Sequence, residues 1–138
     1  MKRKLKNILA MLLAVMLIFS ATPATASAAG RKPTPGKVTL TQISSPAYNK
    51  INIKWNRTSN ATHYKIYYKK AGAGQWTSLA TVSGSATSYT HTSSKSRPVT
   101  PGQKYTYTVR GYNSRYKTYG SYDSRGLTTY TKPATVKL

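Results

Sequence analysis

A turn followed by an unbroken period of two constrains this chain more than any other stretch. Pro101 and Gly102 lead into Lys104, Tyr105, Thr106, Tyr107, Thr108, Val109, Arg110, Gly111 and Tyr112, most of which suit a pleated surface. Successive strand side chains point to opposite faces. Tyr105, Tyr107, Val109 and Gly111 therefore share one face, and Thr106, Thr108, Arg110 and Tyr112 the other. The pattern predicts a strand buried on one side only, within a sheet that needs a second layer to cover it.

Upstream the same period recurs. Val38 and Leu40 share a face of residues 37–43, and Ile51, Ile53 and Trp55 share a face of residues 51–55. In residues 63–70, Tyr64, Ile66 and Tyr68 fall on one side and Lys65, Tyr67 and Lys69 on the other. Residues 75–82, with Trp76 and Leu79, residues 87–92 and residues 126–131 complete seven predicted strands. Polar turns at 44–49 and 56–62 and a glycine-rich turn at 71–74 separate them. The fold class is therefore an all-β antiparallel sandwich.

The start of the chain does not share this pattern. Residues 1–6 are basic, residues 8–19 form an apolar run of 12, and residues 20–30 are small, with Ala-x-Ala spacing at Ala24/Ala26 and Ala26/Ala28. This predicts a secretory signal peptide over residues 1–28, cut after Ala28, with Ala26 as the second choice. A membrane span needs about 20 apolar residues, so none is expected after cleavage. All three Met and the single Phe lie in the leader, which leaves Tyr, Trp, Val, Ile and Leu to build the core. Four of the 22 basic residues leave with it, so 18 remain against the single acid, Asp123, a net charge of +17. Such a field favours anionic partners without identifying one. An exported chain without cysteine has no disulfide to staple it, and thiol catalysis and Cys-based metal sites are excluded. Residues 29–36, with Pro33 and Pro35, read as an exposed linker.

The order of these motifs resembles a fibronectin type III domain over residues 37–131. Trp55 matches that family's core tryptophan, Tyr64, Ile66 and Tyr68 its Tyr-x-Val-x-Tyr strand, and residues 119–125 its approach to the last strand. The turn at Pro101 and Gly102 before Tyr105 is similar to a tyrosine corner, in which a buried phenol bonds backbone just upstream. Val99 stands where the family usually has Leu, as a plug under that corner. The polar residues 93–98 depart from the family's compact pattern. The resemblance implies a bacterial secreted or surface-protein member of seven strands, with Trp55, Tyr64, Ile66, Tyr68, Tyr105 and Val109 structural. The family's Arg-Gly-Asp motif is missing, because Tyr112 follows Arg110 and Gly111. Residues 132–138 echo residues 34–40: Pro133, Val136 and Leu138 answer Pro35, Val38 and Leu40. That echo reads either as a tail of this domain or as the start of a further repeat in a longer chain.

Nothing in the chain assembles a catalytic set. Glycoside hydrolysis needs two carboxylates, and Asp123 is alone. His63 and His91 read as partly exposed strand residues, with no nucleophile elbow or metal-ligand spacing around them. Gly72 and Gly74 lack the Lys and helix of a phosphate loop. No enzyme activity, metal or cofactor is expected.

What remains is a surface. In the family's topology Lys65, Tyr67 and Lys69 lie beside Arg110 and Tyr112, with Arg115, Tyr116 and Lys117 at the adjoining tip. Cations interleaved with aromatic rings suit a polyanion or a sugar polymer. Ordinary solvated strand faces would read the same way. The expected role is a non-catalytic extracellular module, a spacer or interaction domain at a bacterial cell envelope that contacts anionic wall polymer or polysaccharide. The alternatives are extracellular nucleic-acid binding and an accessory module of a secreted carbohydrate-active enzyme. The expected location is secreted or cell-surface, with other domains of a longer chain as further partners.

Overall fold

The computed structural model describes residues 30–138, so the leader over residues 1–28 lies outside the described residues. Every regular element among those described is a strand: β1 (Leu40–Ala47), β2 (Lys50–Trp55), β3 (His63–Lys70), β4 (Thr77–Ser83), β5 (Ser88–Thr92), β6 (Lys104–Asn113), β7 (Thr118–Tyr119) and β8 (Leu127–Tyr130). One sheet has the order β1-β2-β5 and the other β4-β3-β6-β7, with β8 also paired to β6. All pairings between these strands are antiparallel. The seven expected strands are β1 to β6 and β8; β7 is a two-residue addition in the hairpin after β6.

Between the sheets lies the core expected from the alternation. Trp55, Tyr64, Ile66, Tyr68, Tyr105 and Val109 are buried there, with Val38, Leu40, Ile51, Ile53, Val99 and Tyr107. A core with four tyrosines must find partners for its hydroxyls. Tyr105 Oη accepts from Thr100 N at 2.9 Å, which is the tyrosine corner. Tyr64 Oη accepts from Thr58 N at 2.9 Å, an equivalent latch on the turn before β3.

Four expectations are corrected. First, β6 is buried on both faces along Tyr105–Val109, where Thr106 is 8% and Thr108 1% exposed, while Arg110 and Tyr112 stay half-buried on the outer side. The chain returning after β7 covers its outer side, where Thr108 Oγ1 donates to the Asp123 carbonyl at 2.8 Å and Thr106 Oγ1 bonds Thr128 Oγ1 at 2.9 Å. Second, β1 begins at Leu40 and continues to Ala47, leaving Tyr48 and Asn49 as the turn. Val38 faces the core as expected but makes an isolated parallel bridge to Tyr122, in the segment between β7 and β8. Alternation reports the face of a residue, not its backbone partner. Third, residues 33–36 are packed and not an exposed linker. Pro35 is buried, Thr118 Oγ1 donates to the Pro33 carbonyl at 2.6 Å, and Gly36 N donates to the Ser59 carbonyl at 3.2 Å. Fourth, His91 is 2% exposed. Its Nε2 lies 3.0 Å from the Arg97 carbonyl, an atom that only accepts, and its Nδ1 lies 2.7 Å from Tyr107 Oη. The ring therefore carries its proton on Nε2 and accepts from Tyr107, joining β5 of one sheet to β6 of the other. Burial, more than any other influence, lowers the His91 pKa and raises that of Tyr107, so both groups stay neutral. The polar insertion at 93–98 is folded around this pair: Arg97 Nε donates to the Ser78 carbonyl at 3.0 Å and Val99 N to Ser93 Oγ at 2.9 Å.

Candidate ligand-binding face

The outer face of the larger sheet follows from strand register. Residues opposite each other in an antiparallel pair point to the same side. Lys65 pairs with Arg110, Tyr67 with Thr108 and Lys69 with Thr106, so this part of the expected surface is assembled by β3 and β6. On the other side of β3 the register shifts: Ile66 pairs with Ala80, but Tyr67 pairs with Ser78. One extra residue, Leu79, is therefore accommodated in β4, and such a bulge reverses the facing of everything beyond it. Trp76, just past the last pair, is turned outward, and Lys69 Nζ lies 4.6 Å from its ring centroid.

Along the face the cations are seated on rings. Lys65 Nζ lies 5.1 Å from the Tyr112 centroid and 5.2 Å from that of Tyr119. Arg110 Cζ lies 4.7 Å from Tyr119 and 5.7 Å from Tyr122. The two rings under Lys65 contact each other, with centroids 4.7 Å apart. Each such seat is worth about 0.5–1 kcal/mol at an exposed site, enough to orient a long side chain that would otherwise sample many rotamers. The Tyr119 hydroxyl, foremost among several influences, raises the Lys65 pKa, so that ammonium stays charged throughout the physiological range.

Arg110 is more than a surface charge. Its Nε donates to the Gly120 carbonyl at 2.6 Å, and Gly120 N returns a bond to the Gly111 carbonyl at 2.9 Å. The loop carrying Tyr122 is thereby fixed against β6. The expected residues Arg115, Tyr116 and Lys117 lie apart, in the hairpin tip between β6 and β7. Arg115 Cζ packs on its neighbour Tyr116 at 5.4 Å, and Lys117 takes a positive φ of 53° to turn the chain. The rings under the Lys65 and Arg110 charges are instead Tyr112, Tyr119 and Tyr122.

Trp76, Tyr119 and Tyr122 were missing from the sequence expectation for this face. The signal for Trp76 lay in the spacing of Trp76, Leu79 and Val82: apolar residues three apart cannot share one face of a regular strand, which is the mark of a bulge. Tyr119 and Tyr122 lie where the edge strand is interrupted, beyond the reach of alternation.

The one acidic side chain and the two histidines are committed to structure. Asp123 Oδ1 accepts from Arg125 N at 3.0 Å, His63 Nδ1 bonds Thr62 Oγ1 at 2.9 Å, and His91 is enclosed as described. Among the described residues no three His, Cys, Asp or Glu groups gather at a metal-sized site.

No family model and no curated protein sequence matches the chain. Solved structures do. The FN5 domain of Drosophila Lar superposes with a TM-score of 0.54 at 17% identity, over 72% of this chain and 99% of that one. The fn3 domain of the human collagen alpha-1(XX) chain superposes with a TM-score of 0.56 at 19% identity, over 86% of this chain and 97% of that one. A β-1,2-glucanase from Parabacteroides distasonis superposes with a TM-score of 0.59 at 20% identity, over 73% of this chain but 13% of the enzyme.

Proposed function

From the premise that the chain adopts the fibronectin type III fold, we propose that it is a non-catalytic extracellular module. Its outer β4-β3-β6-β7 face contacts an anionic polymer of a bacterial cell envelope, a wall polymer or an acidic polysaccharide. The observation that carries this reading is the seating of Lys65, Lys69 and Arg110 on aromatic rings along one face, in a chain with a single carboxylic acid. Cations without neighbouring acids keep their attraction for an external anion. Rings beside them add flat apolar surface. The basic leader, apolar run and Ala-x-Ala spacing support export, and the repeat of the Pro35, Val38 and Leu40 spacing at residues 133–138 supports a place in a longer chain. The match within the glucanase supports a second setting, as an accessory module beside a catalytic domain, where the same face would serve the same use.

Binding of the purified protein to isolated bacterial cell walls, across a salt series, tests this reading. Wild type is expected to bind and to be released as salt shortens the range of its charges, whereas Lys65→Gln/Lys69→Gln binds more weakly at every salt. Arg110 is left in place, because it holds Gly120. Absence of wall binding at moderate salt, or equal binding by the double variant, contradicts the proposal. Stronger competition by a single-stranded oligonucleotide than by wall polymer transfers the face to nucleic acid.

A further inference from the structure

At one place on the outer face the row of cations and rings encloses a volume. Tyr67, Trp76, Thr108, Arg110 and Tyr122 line a half-open cleft of about 120 Å³. Sites that hold whole small-molecule ligands run about 300–1,000 Å³, so this one has room for a single residue of something longer. Its walls are fixed from several directions. Tyr67 and Thr108 are cross-strand partners on its floor. Trp76 is delivered by the β4 bulge. Tyr122 is held by its bridge to Val38 and by the carbonyls on either side of it, Gly120 to Arg110 Nε and Asp123 to Thr108 Oγ1.

Arg110 gives the cleft its chemistry. Its Nε is committed to Gly120, and among the described residues its two Nη atoms have no hydrogen-bond partner. A guanidinium clamped at Nε and seated on two tyrosine rings presents a fixed fork of N–H donors, the geometry that meets an oxyanion through two parallel bonds. Asp123, the one acid of the chain, directs Oδ1 to Arg125 N. Lys69, above Trp76, adds a second positive charge beside the cleft.

We propose that this cleft is a subsite for one acidic sugar of a polysaccharide, with the sugar's carboxylate on the Nη atoms of Arg110 and the apolar side of its ring against Trp76 and Tyr122. The inference rests on the polyanion-binding reading above. It adds selectivity for a carboxylated ring over other carriers of the same charge, because an acyclic polyphosphate meets the cations and leaves the aromatic walls unfilled.

The test titrates the protein with a short oligogalacturonate, a neutral oligosaccharide of equal length and inorganic polyphosphate of equal charge, following binding by calorimetry. Trp76→Leu and Tyr122→Leu each remove a wall and keep every cation, so either variant suffices if the other fails to fold. Oligogalacturonate is expected to lose at least about fivefold in affinity in these variants, the lower end for one lost aromatic stack, while polyphosphate changes by less than about twofold. Equal losses for both anions, or no loss for either, overturns the subsite and leaves the polyanion face standing, whereas equally tight binding of the neutral oligosaccharide overturns both. Absence of binding by either anion overturns both.

Discussion

Tyr105 and Tyr64 each place a hydroxyl 2.9 Å from a backbone N–H in the turn before their own strand. Each ring therefore fills the core and closes a loop at once. Tyr105→Phe keeps the ring and orphans Thr100 N, which is expected to cost about 1–3 kcal/mol; urea unfolding at matched slopes measures it. Trp55→Ala empties a site against Tyr64, whose ring meets the indole edge-on with centroids 5.6 Å apart, and is expected to cost about 3–5 kcal/mol. Trp55→Phe should cost less, because it retains most of the packing and removes an indole N–H that finds no acceptor among the described residues. The His91 pair makes stability depend on pH. Above the unfolded histidine pKa of about 6.5 both states leave the ring neutral. Burial holds the folded pKa lower, so over the interval between the two values the unfolded chain binds a proton that the folded chain refuses. Stability is therefore expected to fall as pH drops through that interval and to level off beneath it. His91→Gln, compared with wild type in denaturant melts from neutral to mildly acid pH, should flatten that dependence.

At the scale of elements, period two in the sequence was enough to place β2, β3 and the inward side of β6, because those strands are regular and their cores large. It misplaced what depends on interruption. The outer side of β6 is buried by a return segment with no alternation of its own, and Trp76 faces outward through a bulge that shifts the count by one. Pro35 looked like linker because proline and glycine mark chain breaks, yet it fills space opened by two glycines. A Cβ at Gly111 would lie 2.7 Å from Pro35 Cβ, and one at Gly120 would lie 2.6 Å from the Pro35 carbonyl oxygen and 2.8 Å from that of Gly36. Backbone oxygens cannot swing aside. Gly120→Ala is therefore expected to destabilise by about 1–3 kcal/mol, the usual cost of overpacking. Gly74→Ala, where an added Cβ meets nothing within 4 Å, should stay within about 0.5 kcal/mol. Equal effects of the two substitutions in a denaturant series would show that residues 33–36 do not press on this edge. The candidate face was legible for Lys65, Tyr67, Lys69, Arg110 and Tyr112, all set by strand parity. The rings that seat its charges come from Trp76 beyond a bulge and from Tyr119 and Tyr122 at a broken edge.

For the whole molecule, charge and shape point the same way only on one side. Residues 29–138 carry 18 basic residues against one acid, so a positive field surrounds both sheets and draws in polyanions from any direction. The smaller sheet exposes Lys50 and Lys54 as well, without seating either on a ring among the described residues. If charge alone governed binding, both faces would be occupied alike and raised salt would remove everything. If the seated cations and the Trp76 cleft govern it, one face is occupied. Backbone amide shifts of the labelled protein, titrated with a soluble acidic polysaccharide at moderate salt, separate these cases most directly. The account predicts shifts gathered on Lys65, Tyr67, Lys69, Trp76, Arg110, Tyr119 and Tyr122, with β1, β2 and β5 little changed. Shifts spread evenly over both sheets, or centred on Lys50 and Lys54, would contradict it.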